Sequence, residues 1–206
     1  MVDTSTATVT ESDTDRGRRP RSRGRVPGEA GIWILVLSDM AVFAAFFGVF
    51  LVVRIGQPQV FAASRTQLEV PLGLVDTIVL LTSSLLVALA VRRVRAGRRA
   101  FAGRLLVAAA AGGVVFLALK VTEYSIVIGE GHAPSSNDFF LYYFVLTGIH
   151  LTHVLIGLGG LAIARSAVRR PVPSPDLGRT VENAASFWHM VDLLWIVLFA
   201  LFYLVA

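Results

Sequence analysis

The sequence predicts an all-α integral membrane protein: a five-transmembrane-helix bundle with its N-terminus in the cytoplasm and its C-terminus outside. Three observations carry that expectation. Of 206 residues, 55% are hydrophobic and only 16% charged, with a mean hydropathy of +0.69, whereas a soluble domain carries nearer a quarter charged residues. Five apolar segments, at 29–53, 71–91, 102–126, 139–164 and 184–206, are each long enough to cross roughly 30 Å of hydrocarbon at 1.5 Å per residue. The arginines, finally, crowd into alternate breaks between those segments, which is the positive-inside pattern of a multi-pass chain.

The elements follow in order. Residues 1–26 hold no aromatic residue, and six of the 18 arginines fall within 16–25. Such a stretch buries too little to offset its ordering entropy, so a disordered, Arg-rich cytoplasmic tail is expected, ahead of a membrane domain at 27–206. The apolar stretch behind it is too long for a secretory signal. With no water to satisfy backbone groups, the five spans should be helices. The break between the second and third spans carries Arg92, Arg93, Arg95, Arg98, Arg99 and Arg104, and the last break Arg165, Arg169, Arg170 and Arg179. The first break has Arg54 and Arg65, and the third none. Basic groups placed this way, between apolar runs and not along one face, point to topology and to contact with anionic lipid at Arg92, Arg93 and Arg99, not to nucleic acid. The absence of cysteine excludes disulfides, thiolate catalysis, iron–sulfur clusters and covalent c-type haem.

Each span contains polar groups that are expensive in hydrocarbon and therefore mark a site or an internal pair. Lys120/Glu123, His150/His153 and His189/Asp192 are spaced i, i+3, so each pair shares a helix face. Counting from the span ends puts Asp76 and Lys120 near the outer boundary on consecutive antiparallel helices, so Lys120 is expected to pair with Asp76, Glu123 or both. Asp39, His150, His153 and His189 fall deeper, where they would form one polar cluster. Two readings of the histidines stand side by side: ligands of a haem or metal, or neutral groups bonding between helices. A di-iron or copper centre would want Glu-x-x-His spacing on a helix, which the spans lack. The glycines 112, 113, 148, 157, 159 and 160 read as close-packing surfaces. The aromatics at 139–144 with Trp195, Phe199, Phe202 and Tyr203 read as interface anchors and lipid-facing surface.

The last span, SFWHMVDLLWIVLFALFYLV, resembles the final helix of subunit III of the haem–copper oxidases through Trp188, His189, Asp192 and Trp195. TGIHLTHVLIGLGGL matches the preceding helix of that family through Gly148, His150, His153, Val154, Gly157 and Leu158. KVTEY (120–124) carries its Glu-Tyr pair, and Asp39 stands where the family has a buried Glu. The resemblance covers about 29–206 and corresponds to the shorter, five-span bacterial forms. Lys120, GEAGIW (28–33) and DTIVLLTSS (76–84) look more like the NorE-type branch, associated with nitric-oxide reductase.

The resemblance implies a non-catalytic subunit of the bacterial cytoplasmic (inner) membrane. Such a subunit has no catalytic residue and binds no haem or copper; both sit in a partner catalytic subunit, of a cytochrome c oxidase in aerobic electron transport or of a nitric-oxide reductase. It packs on that partner, holds phospholipid in a cleft and supports proton uptake and stability. Asp39, His150, His153, His189 and Asp192 would then line a polar interior beside the cleft, with Trp188 on acyl chains. The other classes to weigh are a small membrane electron carrier holding haem on His150 or His153 with His189, and a proton-coupled transporter using Asp39 and Glu123.

Overall fold

The computed structural model describes residues 30–172 and 174–205, so the expected disordered tail at 1–26 lies outside the described residues. The chain forms α1 (Ala30–Gly56), α2 (Pro58–Arg65), α3 (Val70–Arg95), α4 (Arg99–Gly129), α5 (Asp138–Arg169) and α6 (Leu177–Phe199), the last continuing as a π-helical segment, Ala200–Val205. Five helices are long and apolar enough to cross a membrane: α1, α3, α4, α5, and α6 with its π-helical extension. The spans run several residues past the apolar segments at their arginine-bearing ends, because a helix keeps its hydrogen bonds in the interface after its side chains turn polar. The short helix α2 has no counterpart in the hydropathy pattern; it starts on Pro58, preset for a first helical turn, and buries only Phe61 and Ser64.

The connections are specified locally. Gly97 (φ 72°) and Gly131 (φ 88°) end α3 and α4 in the left-handed region. At each, the following amide reaches back over the last turn, Arg98 N to Arg93 O (2.9 Å) and His132 N to Val127 O (3.0 Å); this is a Schellman cap, which a side chain at the glycine would strain. Asn137 caps α5 by accepting from the Phe140 amide at 3.0 Å and donates to Ser64 Oγ of α2 at 2.9 Å.

The spans alternate in direction, so the arginine-rich breaks share one end of the bundle. There Arg95 of α3 donates to Glu182 of α6 (2.9 Å), and Arg99 of α4 to the Arg170 carbonyl (3.1 Å). At the other end Gln57 bonds Asp138 (2.7 Å) and Arg65 donates to the Leu204 carbonyl (2.9 Å). Antiparallel α3 and α4 pack along their length, and α6 lies centrally against α1, α3 and α5. The most apolar stretch of α6 is 56% buried within the chain, against 17% for α1, which therefore flanks the bundle.

Two expectations about packing are corrected. Phe139, Phe140, Tyr143, Trp195, Phe202 and Tyr203 are core residues, at most 2% exposed, not lipid-facing anchors. Phe50, Phe61, Phe139, Tyr143 and Phe202 meet edge to face at 5.0–5.9 Å between centroids, so aromatic rings fill the arginine-poor end. Among the expected packing glycines, Gly113 and Gly157 face the Trp188 indole so closely that a Cβ would come within 2.6 and 2.8 Å of it, while nothing lies within 4 Å of such an atom at Gly148 or Gly159. Trp188 is consequently enclosed, at 0% exposure, and packs on helix backbone where contact with acyl chains was expected.

Candidate functional site

The polar residues of the spans sort into three groups. The first lies toward the arginine-poor end. Lys120 Nζ on α4 is 3.1 Å from Asp76 Oδ2 on α3, bonds Glu123 one turn along its own helix, and donates to Tyr203 Oη at 2.9 Å. Tyr203 in turn donates to the other oxygen of Glu123. The ammonium also sits over the Trp195 ring, 4.4 Å from its centroid, and the indole N–H donates to Thr77 Oγ1 (3.0 Å). Asp76, Lys120 and Glu123 are no more than 1% exposed. Gly73 of α3 leaves the room: a Cβ there would meet the Tyr203 ring at 2.8 Å. An unpaired ammonium inside a membrane span is costly, so two carboxylates, a phenol and an indole face are a physically sufficient shell.

The second group couples α1 to α5. His153 Nδ1 donates to the Ile149 carbonyl (2.9 Å), which fixes the proton on that nitrogen because a carbonyl only accepts. Its Nε2 faces Asp39 Oδ2 at 3.3 Å. Phe43 meets the imidazole edge-on and Phe187 stacks on it.

The third group is on α3 and α6, where Ser84 Oγ and His189 Nδ1 are 2.6 Å apart and Asp192 faces the same hydroxyl. It borders a crevice of about 500 Å³ between α1, α3 and α6. Trp33, Val36 and Met40 form one wall, His189 and Met190 the opposite one, and Arg92 with the Arg95–Glu182 pair the mouth.

The single deep cluster expected of Asp39, His150, His153 and His189 is therefore divided. His150 is fully buried against the Phe116 and Trp195 rings, and neither of its ring nitrogens has a hydrogen-bond partner among the described residues. Among the described residues no three His, Asp or Glu side chains gather as a metal site would require. The three arginines expected to meet lipid phosphate are also separated: Arg92 lines the crevice, Arg93 lies over the Phe101 ring (5.1 Å), and Arg99 lines a different cavity between α4 and α5. Sequence reasoning missed Tyr203 and Ser84, which lie 83 and 105 residues from their partners. Their only local signal was a hydroxyl within an apolar run.

Fold and polar interior together define a multi-pass membrane protein whose buried charges are answered from within the chain. The model of the family cytochrome c oxidase subunit III matches residues 26–206. The chain belongs to that family and is a subunit III of the haem–copper oxidase type. It is 28% identical over 177 residues to the cytochrome bo(3) ubiquinol oxidase subunit 3 of Pseudomonas aeruginosa, covering 84% of this chain and 83% of that one. It is 31% identical over 179 residues to the cytochrome c oxidase subunit 3 of Synechocystis, covering 84% and 74%. To the probable quinol oxidase subunit 3 of Staphylococcus haemolyticus it is 23% identical, covering 86% and 88%.

Proposed function

We propose that this chain is the accessory subunit III of a bacterial haem–copper terminal oxidase in the cytoplasmic membrane, without catalytic residues, haem or copper of its own. It packs on the catalytic subunit, holds phospholipid and supports proton uptake and stability. The observation that carries the reading is how the polar groups are committed. His153 is engaged by Asp39 and Ile149, His189 by Ser84, and Lys120 by Asp76, Glu123 and Tyr203. A haem carrier would need two histidines facing across an open slot, whereas His150 is shut between rings. The cytochrome c type of oxidase is part of the proposal; relatives named for quinol and for cytochrome c match alike, as expected if the electron donor docks elsewhere in the complex.

The crevice between α1, α3 and α6 is the proposed lipid cleft: its walls are apolar and Arg92 stands at its mouth for a phosphate. The arginine-rich end faces the cytoplasm in this reading. The test is affinity purification of the tagged chain in mild detergent with mass spectrometry of what co-elutes. A haem–copper oxidase catalytic subunit is expected. A nitric-oxide reductase in its place would move the chain to the NorE-type branch, and a folded chain eluting alone would refute the subunit reading.

A further inference from the structure

At the arginine-rich end a cavity of about 830 Å³ opens between the start of α4 and the end of α5. Arg98, Arg99, Arg104, Arg165, Arg169 and Arg170 all line it. Two of them hold the walls together: Arg99 donates to the Arg170 carbonyl and Arg165 to the Gly103 carbonyl, each at 3.1 Å. Arg98, Arg104 and Arg169 are exposed into the opening. Among the described residues none of the six is ion-paired with a carboxylate, in contrast to the other crevice, where Glu182 answers Arg95. Helix α4 starts here with no side-chain cap, and among the described residues the amides of Ala100 and Phe101 have no backbone acceptor. The helix start therefore adds partial positive charge to the guanidiniums.

Six like charges around one cavity repel one another, and an anion entering it relieves that repulsion. Guanidinium forks match phosphate oxygens two at a time, and the volume lies within the range of ordinary ligand sites. The surroundings favour a lipid as the source of the phosphate. From Arg104 an exposed apolar stripe, Val107, Ala108, Ala111 and Val115, runs down α4 into the span at i+3 and i+4 steps. We propose that this arginine cradle binds the phosphate groups of an anionic phospholipid, whose acyl chains lie along that stripe. The site is separate from the α1/α3/α6 crevice and does not depend on which catalytic subunit is the partner.

The test is native mass spectrometry of the full chain, with any co-purifying subunits, titrated in detergent with cardiolipin, phosphatidylglycerol or phosphatidylcholine, and with sodium pyrophosphate as competitor. Wild type should retain the anionic lipids at least about tenfold more tightly than phosphatidylcholine. The double variant Arg104→Ala/Arg169→Ala should lose about 30-fold, at roughly five- to sixfold per arginine. Among the described residues neither side chain has a bonding partner, so folding should survive, and Arg104→Lys/Arg169→Lys should regain much of the loss. Arg92→Ala, at the other crevice, should change retention here less than about threefold. Equal retention by the double variant, or no preference for anionic lipid, would overturn the proposal. Displacement of the lipid by equimolar pyrophosphate would overturn the lipid assignment in favour of a soluble phosphate compound. Loss of a co-purified subunit with lipid unchanged would show that the arginines hold a protein instead.

Discussion

Lys120 dominates the energetics of the interior, because its ammonium is answered by two carboxylates from which it cannot be removed singly. Lys120→Met would leave Asp76 and Glu123 facing each other in a dry site. It should cost about 3–5 kcal/mol of stability, read as a fall in the unfolding midpoint of the detergent-purified chain. Neutralising all three, with Asp76→Asn and Glu123→Gln added, should recover most of that loss. A triple variant no better than the single would show that the tyrosine and indole shell, not charge balance, holds the site. Trp188 makes a second test at this scale. Gly157→Ala drives a methyl to 2.8 Å from the indole and should cost about 1–3 kcal/mol, whereas Gly159→Ala meets nothing and should be neutral or slightly stabilising. The ion group was half legible: i, i+3 spacing on α4 pairs Lys120 with Glu123 in any helix, and antiparallel succession brings in Asp76. Tyr203 was not legible, since its approach depends on Gly73 and on the π-helical end of α6, neither of which leaves a periodic trace.

Among the five spans, α1 is the most loosely held. It packs against α6 and α5 through Val36, Phe43 and Phe50, with Asp39–His153 as its polar tie, and it presents Ile34, Leu37, Val52 and Ile55 outward at 62–76% exposure. Interhelical polar contacts in membranes are worth about 1 kcal/mol, a large share of what fastens a helix so little buried. Asp39→Leu should leave insertion intact, raise amide exchange along α1 well above that of α3 and α4, and shorten lipid retention in the adjoining crevice. Unchanged exchange in that variant would show that the Asp39–His153 contact does not fasten α1, and unchanged lipid content that this contact does not shape the crevice. At the opposite end α2 depends on α5 through Asn137. Asn137→Ala loses both a helix cap and the bond to Ser64, about 1–2 kcal/mol, and should loosen 58–65 selectively in the same exchange experiment. The spans were readable because twenty-residue apolar runs leave few alternatives in a bilayer. Helix α2 was not, because eight residues of mixed polarity have no hydropathy signature, and its position is set by contacts with a helix some 75 residues later.

For the whole molecule the decisive asymmetry is charge. One end gathers the ten arginines of 92–104 and 165–179, while the other has Arg54 and Arg65 with Glu130 and Asp138 close by. The same gathering makes the α4/α5 cradle, which no single break foretells: Arg98–Arg104 and Arg165–Arg170 become one cavity only because α4 and α5 are antiparallel neighbours. Translocating so many guanidiniums is costly, whereas the arginine-poor end crosses with two, so the bundle should sit with the arginine-rich end in the cytoplasm. The cysteine-free sequence allows this to be read directly. Ser136→Cys, in the exposed turn before α5, should react with a membrane-impermeant maleimide in intact cells. Ala96→Cys, exposed in the turn between α3 and α4, should react only after lysis. The reverse pattern would invert the bundle and place the arginine cradle, with its proposed lipid, in the outer leaflet. Replacing Arg92, Arg93, Arg95, Arg98 and Arg99 with Gln should then give a mixed pattern, with both cysteines partly reactive, if those arginines set the orientation. Unchanged labelling would transfer that role to the remaining basic segments.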